Sequence, residues 1–228
     1  MNRDEFLARV RAAAAAGRAF RVHPAHADDS PPPAGENIED LAVRMTAEVN
    51  AVGGRGVLAE TLADARLALD ELLRQYAPRS ALCWQHPLLE RLGLAELLAA
   101  RSIEPLDYAR LTRLDQAQQR EQCLAAEIGI TSATLAVAET GTLVMVAEPG
   151  RERMASLLPP VHVAMITAEQ IRPDLFAAFR ELESSGLDRV SSNITLITGP
   201  SKTGDLELRL TTGVHGPGQW HVIVIRQA

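Results

Sequence analysis

The sequence predicts an α/β fold, an open sheet with helices on both faces, preceded by an N-terminal helical arm. Three observations carry this expectation. Short apolar runs of strand character recur at 80–84, 133–147, 161–166, 194–198 and 221–225. Between them lie longer stretches with apolar residues at helical spacing, and such alternation implies strands covered by helices. Several runs end in Gly-containing loops, and open α/β sheets bind ligands beyond their strand ends.

Taken in order, residues 2–16 place Phe6, Leu7 and Val10 on one face of a helix that Gly17 ends. Residues 23–35 are almost without apolar side chains and contain three consecutive prolines, which exclude a helix and indicate an extended linker. The expected organisation is therefore an arm and linker over 1–36 and an α/β domain over 37–228. That domain opens with a helix carrying Ile38, Leu41, Val43 and Met45 and ending near Val52. Gly53-Gly54-Arg55-Gly56 then turns the chain into a second helix over 61–76, with Leu62, Leu69 and Leu73 on one face. A strand at 80–84 leads into a helical stretch at 87–100 that starts with proline, as first helical turns allow. Another helix is expected near 114–127. Residues 133–147 read as two strands interrupted by Glu139-Thr140-Gly141, and 173–183 as a helix. Around 205–210 the signals conflict: Leu206, Leu208 and Leu210 alternate as in a strand, while Ser201, Thr203 and Asp205 are helix-capping types.

Composition bounds the function. Apolar residues form 46% of the 228-residue chain and charged residues 23%, enough for a sizeable core. A formal net charge of −6 opposes a dedicated nucleic-acid partner, because phosphate binding depends on concentrated Lys and Arg. Cys83 and Cys123 are far apart and form no C-x-x-C pair. This suits a reduced, cytoplasmic protein, and two thiols cannot supply a four-cysteine iron–sulfur cluster. Asp4 and Glu5 interrupt the Arg3, Arg9 and Arg11 region and no apolar core follows, so no signal peptide is expected. No apolar run approaches the ~20 residues of a membrane span.

Three loops have the composition for chemistry. Ala138-Glu139-Thr140-Gly141-Thr142 places a carboxylate at a turn between apolar strands, where partial desolvation would suit a nucleophile, a general base or a ligand for a cation. The plainer alternative is that Glu139 accepts backbone N–H bonds and fixes the turn. Gly199-Pro200-Ser201-Lys202-Thr203-Gly204-Asp205 follows a strand and combines backbone donors, two hydroxyls and a cation, a set that suits a phosphate or carboxylate. It lacks the order of a Walker loop, and a structural turn is its alternative. Gly213-Val214-His215-Gly216-Pro217-Gly218 presents one imidazole, a group that titrates near neutrality and serves as acid, base or hydrogen-bond donor, or simply ties its own loop. His23, His26, Asp28 and Asp29 imitate a metal site but sit in the linker, so no metal is expected. His162, entering a strand after Pro159-Pro160, reads as a core histidine. Arg151 and Arg153 are either a solvated face or a means of steering an anion.

These loops, in this order and spacing, resemble the lactate-utilisation protein C family, or LUD domain. The resemblance runs through Gly129-Ile130-Thr131, Ala138-Glu139-Thr140-Gly141-Thr142-Leu143, Leu158-Pro159-Pro160-Val161-His162, the 199–207 segment and Gly213-Val214-His215-Gly216-Pro217. It implies a fold like that of ribose-phosphate isomerases and CoA transferases, and a part in oxidising L-lactate to pyruvate with two iron–sulfur partner proteins. On that reading this chain binds no cofactor and the clusters reside in the partners. The family usually has Arg where this chain has Lys202 and Ala where it has Gly204. Lysine keeps the charge but loses bidentate recognition, and glycine loosens the loop.

Three functions follow as expectations. The first is a non-redox subunit of a lactate-oxidising system, with Thr140, Gly141, Gly199, Ser201, Lys202, Thr203, Gly204, Asp205 and Gly216 lining an anion pocket and Glu139 and His215 as its chemical groups. The second is a stand-alone transferase or isomerase, because the turn resembles the glutamate-x-glycine turn of CoA transferases, with Glu139 as nucleophile. The third is a module that senses a small organic acid.

Overall fold

The computed structural model describes residues 2–17, 37–184, 191, 193–204, 210–213 and 215–227. The chain divides into two units, Met1–Ala34 and Gly35–Ala228. The first contains α1 (Arg3–Gly17). Its start is closed by reciprocal bonds, Glu5 N to Asn2 Oδ1 at 2.8 Å and Asn2 N to Glu5 Oε2 at 3.1 Å, which satisfy two otherwise orphaned donors. The linker at 23–35, with His23, His26, Asp28 and Asp29, lies outside the described residues.

The second unit runs α2 (Ile38–Ala51), β1 (Arg55–Thr61), α3 (Leu62–Tyr76), β2 (Ser80–Cys83), α4 (Pro87–Arg91), α5 (Leu94–Ala100), β3 (Glu104–Leu106), α6 (Tyr108–Leu111) and α7 (Gln116–Ala125). It continues β4 (Ile128–Thr131), β5 (Leu135–Val137), β6 (Thr142–Val146), α8 (Met154–Leu157), β7 (Val161–Thr167), β8 (Ile171–Arg172), α9 (Leu175–Ser184), β9 (Ile194–Ile197), β10 (Lys202–Gly204), β11 (Leu210–Thr212) and β12 (Gln219–Gln227). Six strands form a wholly parallel sheet in the order β1-β12-β7-β4-β2-β3. Its central strands are buried on both sides, so β12 shows an unbroken apolar run from Val222 to Ile225 without exposure.

Both faces of this sheet are covered. Gly56 and Trp220 lie on one face, against α2: a Cβ on Gly56 would lie 2.6 Å from the Thr46 carbonyl oxygen, and Trp220 packs on Gly54. His221 points to the other face, where the Tyr76 hydroxyl at the end of α3 meets its Nε2 at 2.9 Å. A smaller sheet, β8-β5-β6-β9, joins the α2 side. Leu143 and Met145 of β6 enter the main core, while Val144 and Val146 pack with Ala178 and Leu182 of α9. Alternate side chains thus serve two cores. β10 and β11 form a separate antiparallel pair.

The structure corrects several local expectations. Residues 55–61 are not part of a turn but an edge strand, which alternates in burial as one-sided strands do. The 87–100 stretch is two helices, broken where Gly93 takes φ +72°. β3, α6 and β4 were not anticipated; strands of three or four residues are too short to display a period. Leu210 opens β11, while 205–209 lie outside the described residues. Among the described residues no helix is long and apolar enough to cross a membrane.

Candidate functional site

Two of the three loops, 138–142 and 199–204, meet the last turns of α2, and the third docks on the second. That helix closes with Gly54 N bonded to Val49 O at 2.9 Å and Gly53 N to Asn50 O at 3.1 Å, with Gly53 at φ +92°. This left-handed closure satisfies two terminal carbonyls and leaves that of Val52 available. Lys202 takes it: its Nζ donates to Val52 O at 2.6 Å. A cation at the negative end of a helix is favourable, so the charge read as an anion ligand is engaged in closing α2.

The other loops dock beside it by close backbone approach. Gly141, at φ +62°, is buried, and a Cβ there would lie 2.7 Å from Val49 N and 2.8 Å from Glu48 C. Gly199, at φ +83°, sits where a Cβ would come within 2.9 Å of Val52 O. Ser201 N donates to Pro217 O at 2.8 Å and Gly213 N to Ser201 O at 2.9 Å, which clips the 199–204 loop to the 213–218 loop. Gly216 faces Ser201, with a Cβ position 3.4 Å from its Oγ. A chain of hydroxyls joins the first loop to the second: Thr140 to Thr142 and Thr142 to Thr198, each 2.7 Å between Oγ1 atoms.

Glu139 is exposed rather than partly desolvated. Its backbone N–H donates to Pro173 O at 3.0 Å, and its carboxylate makes no hydrogen bond to another described residue. The turn is therefore fixed by Gly141 and the backbone, and the carboxylate is left open to solvent. His215 is also exposed. Thr203 and Gly204 belong to β10, paired with Thr211 and Leu210, and Asp205 lies outside the described residues.

The loops stand at the amino ends of β1, β12 and β7, since Gly54 precedes β1, Pro217 and Gly218 precede β12, and Gln219 N donates to Pro160 O at 3.2 Å. The sequence leads to the expectation of ligands beyond the strand ends; the loops gather at the amino ends of the parallel strands. The reason is topological: Gly199 follows β9, which pairs antiparallel with β6 in the smaller sheet.

Beneath the cluster lie His162 and Trp220, paired in register on neighbouring strands and both buried. His162 Nε2 is 2.9 Å from Thr131 Oγ1. Its Nδ1 and the Trp220 Nε1 are buried polar atoms without a hydrogen-bond partner among the described residues. Burial, then the nearby His221, pushes the His162 imidazole down to about 3, so it is neutral near pH 7. Burial and then Arg55 lower His221 to about 4. Arg151 pairs with Glu148 at 3.3 Å. Among the described residues no group of three or more His, Cys, Asp or Glu is placed to hold a metal.

Sequence reasoning missed Val52 and Thr198, the hub and the end of the relay that assemble the loops, and gave no role to Thr142, which it had placed in the first loop. The only local signal was Gly53-Gly54, which was read as a turn.

The chain is similar to known proteins. Residues 43–225 match the LUD domain model. The chain is 35% identical over 160 residues to lactate utilization protein C of Halalkalibacterium halodurans, covering 69% of this chain and 67% of that protein. It is 31% identical over 120 residues to lactate utilization protein B of Shouchella clausii, covering 50% of this chain and 23% of that larger protein. A crystal structure of a DUF162 family protein from Deinococcus radiodurans superposes with a TM-score of 0.57 at 17% identity, covering 84% of this chain and 99% of that one, a likeness of fold. With a parallel six-stranded sheet, loops meeting on α2 and a family match over most of its length, the chain belongs to the LUD domain family.

Proposed function

We propose that this chain is the non-redox subunit of a system that oxidises L-lactate to pyruvate, with iron–sulfur clusters carried by partner proteins. The similarity to lactate utilization protein C is the observation that carries this reading. Converting lactate to pyruvate releases two electrons and two protons, so an electron acceptor must be close. Cys83 and Cys123 are both buried free thiols, one in β2 and one in α7, which supports placing the clusters on other chains. The similarity of half this chain to a part of lactate utilization protein B supports a partner that includes a related domain.

In this system the loop cluster holds a carboxylate, either that of lactate or one offered by a partner loop. Exposed His215, Ser201 and the hydroxyl of Thr140 supply donors, while Lys202 holds the 199–204 loop on α2. Reconstitution tests the reading. The isolated chain is expected to reduce no dye with lactate, and its omission from the mixture with its iron–sulfur partners to abolish activity. Lactate oxidation by the isolated chain, or full activity without it, overturns the proposal.

One observation favours a second reading. The open carboxylate of Glu139, without a hydrogen bond to another described residue, at a glycine-locked turn suits a nucleophile attacking a thioester: CoA thiolate leaves and an acyl anhydride forms, then the thiolate attacks the glutamyl carbonyl, giving a glutamyl thioester and releasing the acyl group as a free carboxylate. Incubation with acyl-CoAs followed by borohydride or hydroxylamine marks Glu139 if this occurs. An unmodified Glu139 across acetyl-, propionyl- and succinyl-CoA removes this reading.

A further inference from the structure

A cavity of about 320 Å³ opens at the opposite end of the parallel sheet from the loop cluster, beyond the carboxyl ends of β2 and β3. Its size falls within the range of small-molecule sites, roughly 300–1,000 Å³. Its position, beyond the carboxyl ends of parallel strands, is where open parallel sheets place ligands. The floor is apolar, built by Trp84 and Leu89 with Leu94 and Leu98 of α5, all of them buried. Cys83, the last residue of β2, completes it. Burial, then the Asp107 carboxylate, pushes that thiol up to about 12, so it stays protonated and uncharged.

The rim has one sign of charge. Glu90, Glu96 and Asp107 line the opening, and among the described residues no Lys or Arg does. The neighbouring guanidinium, Arg66, donates to the carbonyls of Leu92 and Gly93 at 2.5 and 2.7 Å; it keeps its charge and offsets part of that of Glu96 beside it, but it does not line the opening. Asp107 Oδ1 accepts from Arg110 N at 2.8 Å as the cap of α6, which holds its carboxylate in place at the mouth. Such a rim repels lactate, pyruvate and acyl phosphates, and attracts an ammonium or guanidinium group.

From this geometry we infer a second ligand site, distinct from the loop cluster, that takes a small organic cation with an apolar body, such as an aryl or alkyl amine. The body occupies the Trp84–Leu94 floor and the ammonium meets Glu90, Glu96 and Asp107. The proposal does not rest on the lactate reading.

The test is titration calorimetry of the full chain with three probes sharing one ring: benzylamine, benzyl alcohol and benzoate. Benzylamine is expected to bind most tightly, benzyl alcohol more weakly and benzoate least. Ala95 lies on the lining and is exposed, so Ala95→Trp fills the space without disturbing the core and is expected to abolish binding. Glu96→Gln is expected to weaken benzylamine by about two- to fivefold, the scale of a half-exposed charge pair, and to leave benzyl alcohol unchanged. Equal affinity for benzoate, retention of benzylamine binding in Ala95→Trp, or no binding of any of the three probes would overturn the proposal.

Discussion

The loop cluster on α2 and the cavity beyond β2 and β3 lie at opposite ends of one sheet and are built on opposite principles. The cluster is made by close backbone contact: glycines at positive φ let two chain segments reach the end of a helix, and a lysine caps the Val52 carbonyl there. The cavity is made by ordinary leucines that leave room between α4, α5 and the strand ends. Conspicuous residues therefore mark the place where the chain is most tightly packed, and the open space is lined by inconspicuous ones. A glycine-rich segment testifies first to proximity.

That contrast is most directly broken by adding atoms at each end. Gly141→Ala must accept φ +62° and push on the α2 backbone, so it is expected to lower unfolding free energy by about 2–4 kcal/mol. Ala95→Trp at the cavity is expected to stay within about 0.5 kcal/mol of the wild type. Urea denaturation of both variants measures the difference, and a mild Gly141→Ala would mean that the turn is not locked on α2.

Acid sharpens the comparison next. His162, beneath the cluster, is neutral in the folded chain down to about pH 3, whereas an exposed histidine titrates at 6.5. Its contribution to stability is fully present above pH 6.5. It is lost as pH falls toward 3, because only the unfolded chain takes up the proton, at about 1.4 kcal/mol per pH unit. Stability curves from pH 6.5 to 4.5 should fall more steeply for the wild type than for His162→Gln by that amount. Parallel curves would show that the imidazole takes a proton in the folded protein.

Smaller effects separate anchoring from chemistry within the cluster. Lys202→Met removes the cation from the end of α2 and is expected to cost about 0.3–1 kcal/mol, read as a small drop in thermal midpoint that Lys202→Arg largely avoids. Glu139→Gln is expected to change stability by less than about 0.5 kcal/mol, since the carboxylate is exposed and unbonded. The same variant should lose acyl transfer from CoA if Glu139 is the nucleophile. A stable variant with full activity would reduce Glu139 to a surface residue.

How much of this was legible in the chain depended on the range of the interactions. The hairpin of β5 and β6 was readable because apolar strands flank a short polar turn, all within fifteen consecutive residues. α3 and β12 were equally plain, one from its leucine face and the other from its unbroken valine and isoleucine run. β1 was missed because an edge strand holding Gly56 beside Gly53-Gly54 looks like a continuation of the turn, and its partner β12 is at the far end of the chain. β3 and β4 are too short for periodicity to separate them from loop.

For the site the division is sharper. An alternating α/β chain, the three loops and the likeness that groups them could be read from the residues, because these depend on local pattern and order. It took the folded arrangement to show that Lys202 serves Val52, 150 residues away, that the loops sit at the amino ends of the parallel strands, and that an acid-rimmed cavity lies at the carboxyl ends. Those facts depend on which elements become neighbours when the cores are buried, and packing of that kind leaves no spacing in the sequence to read.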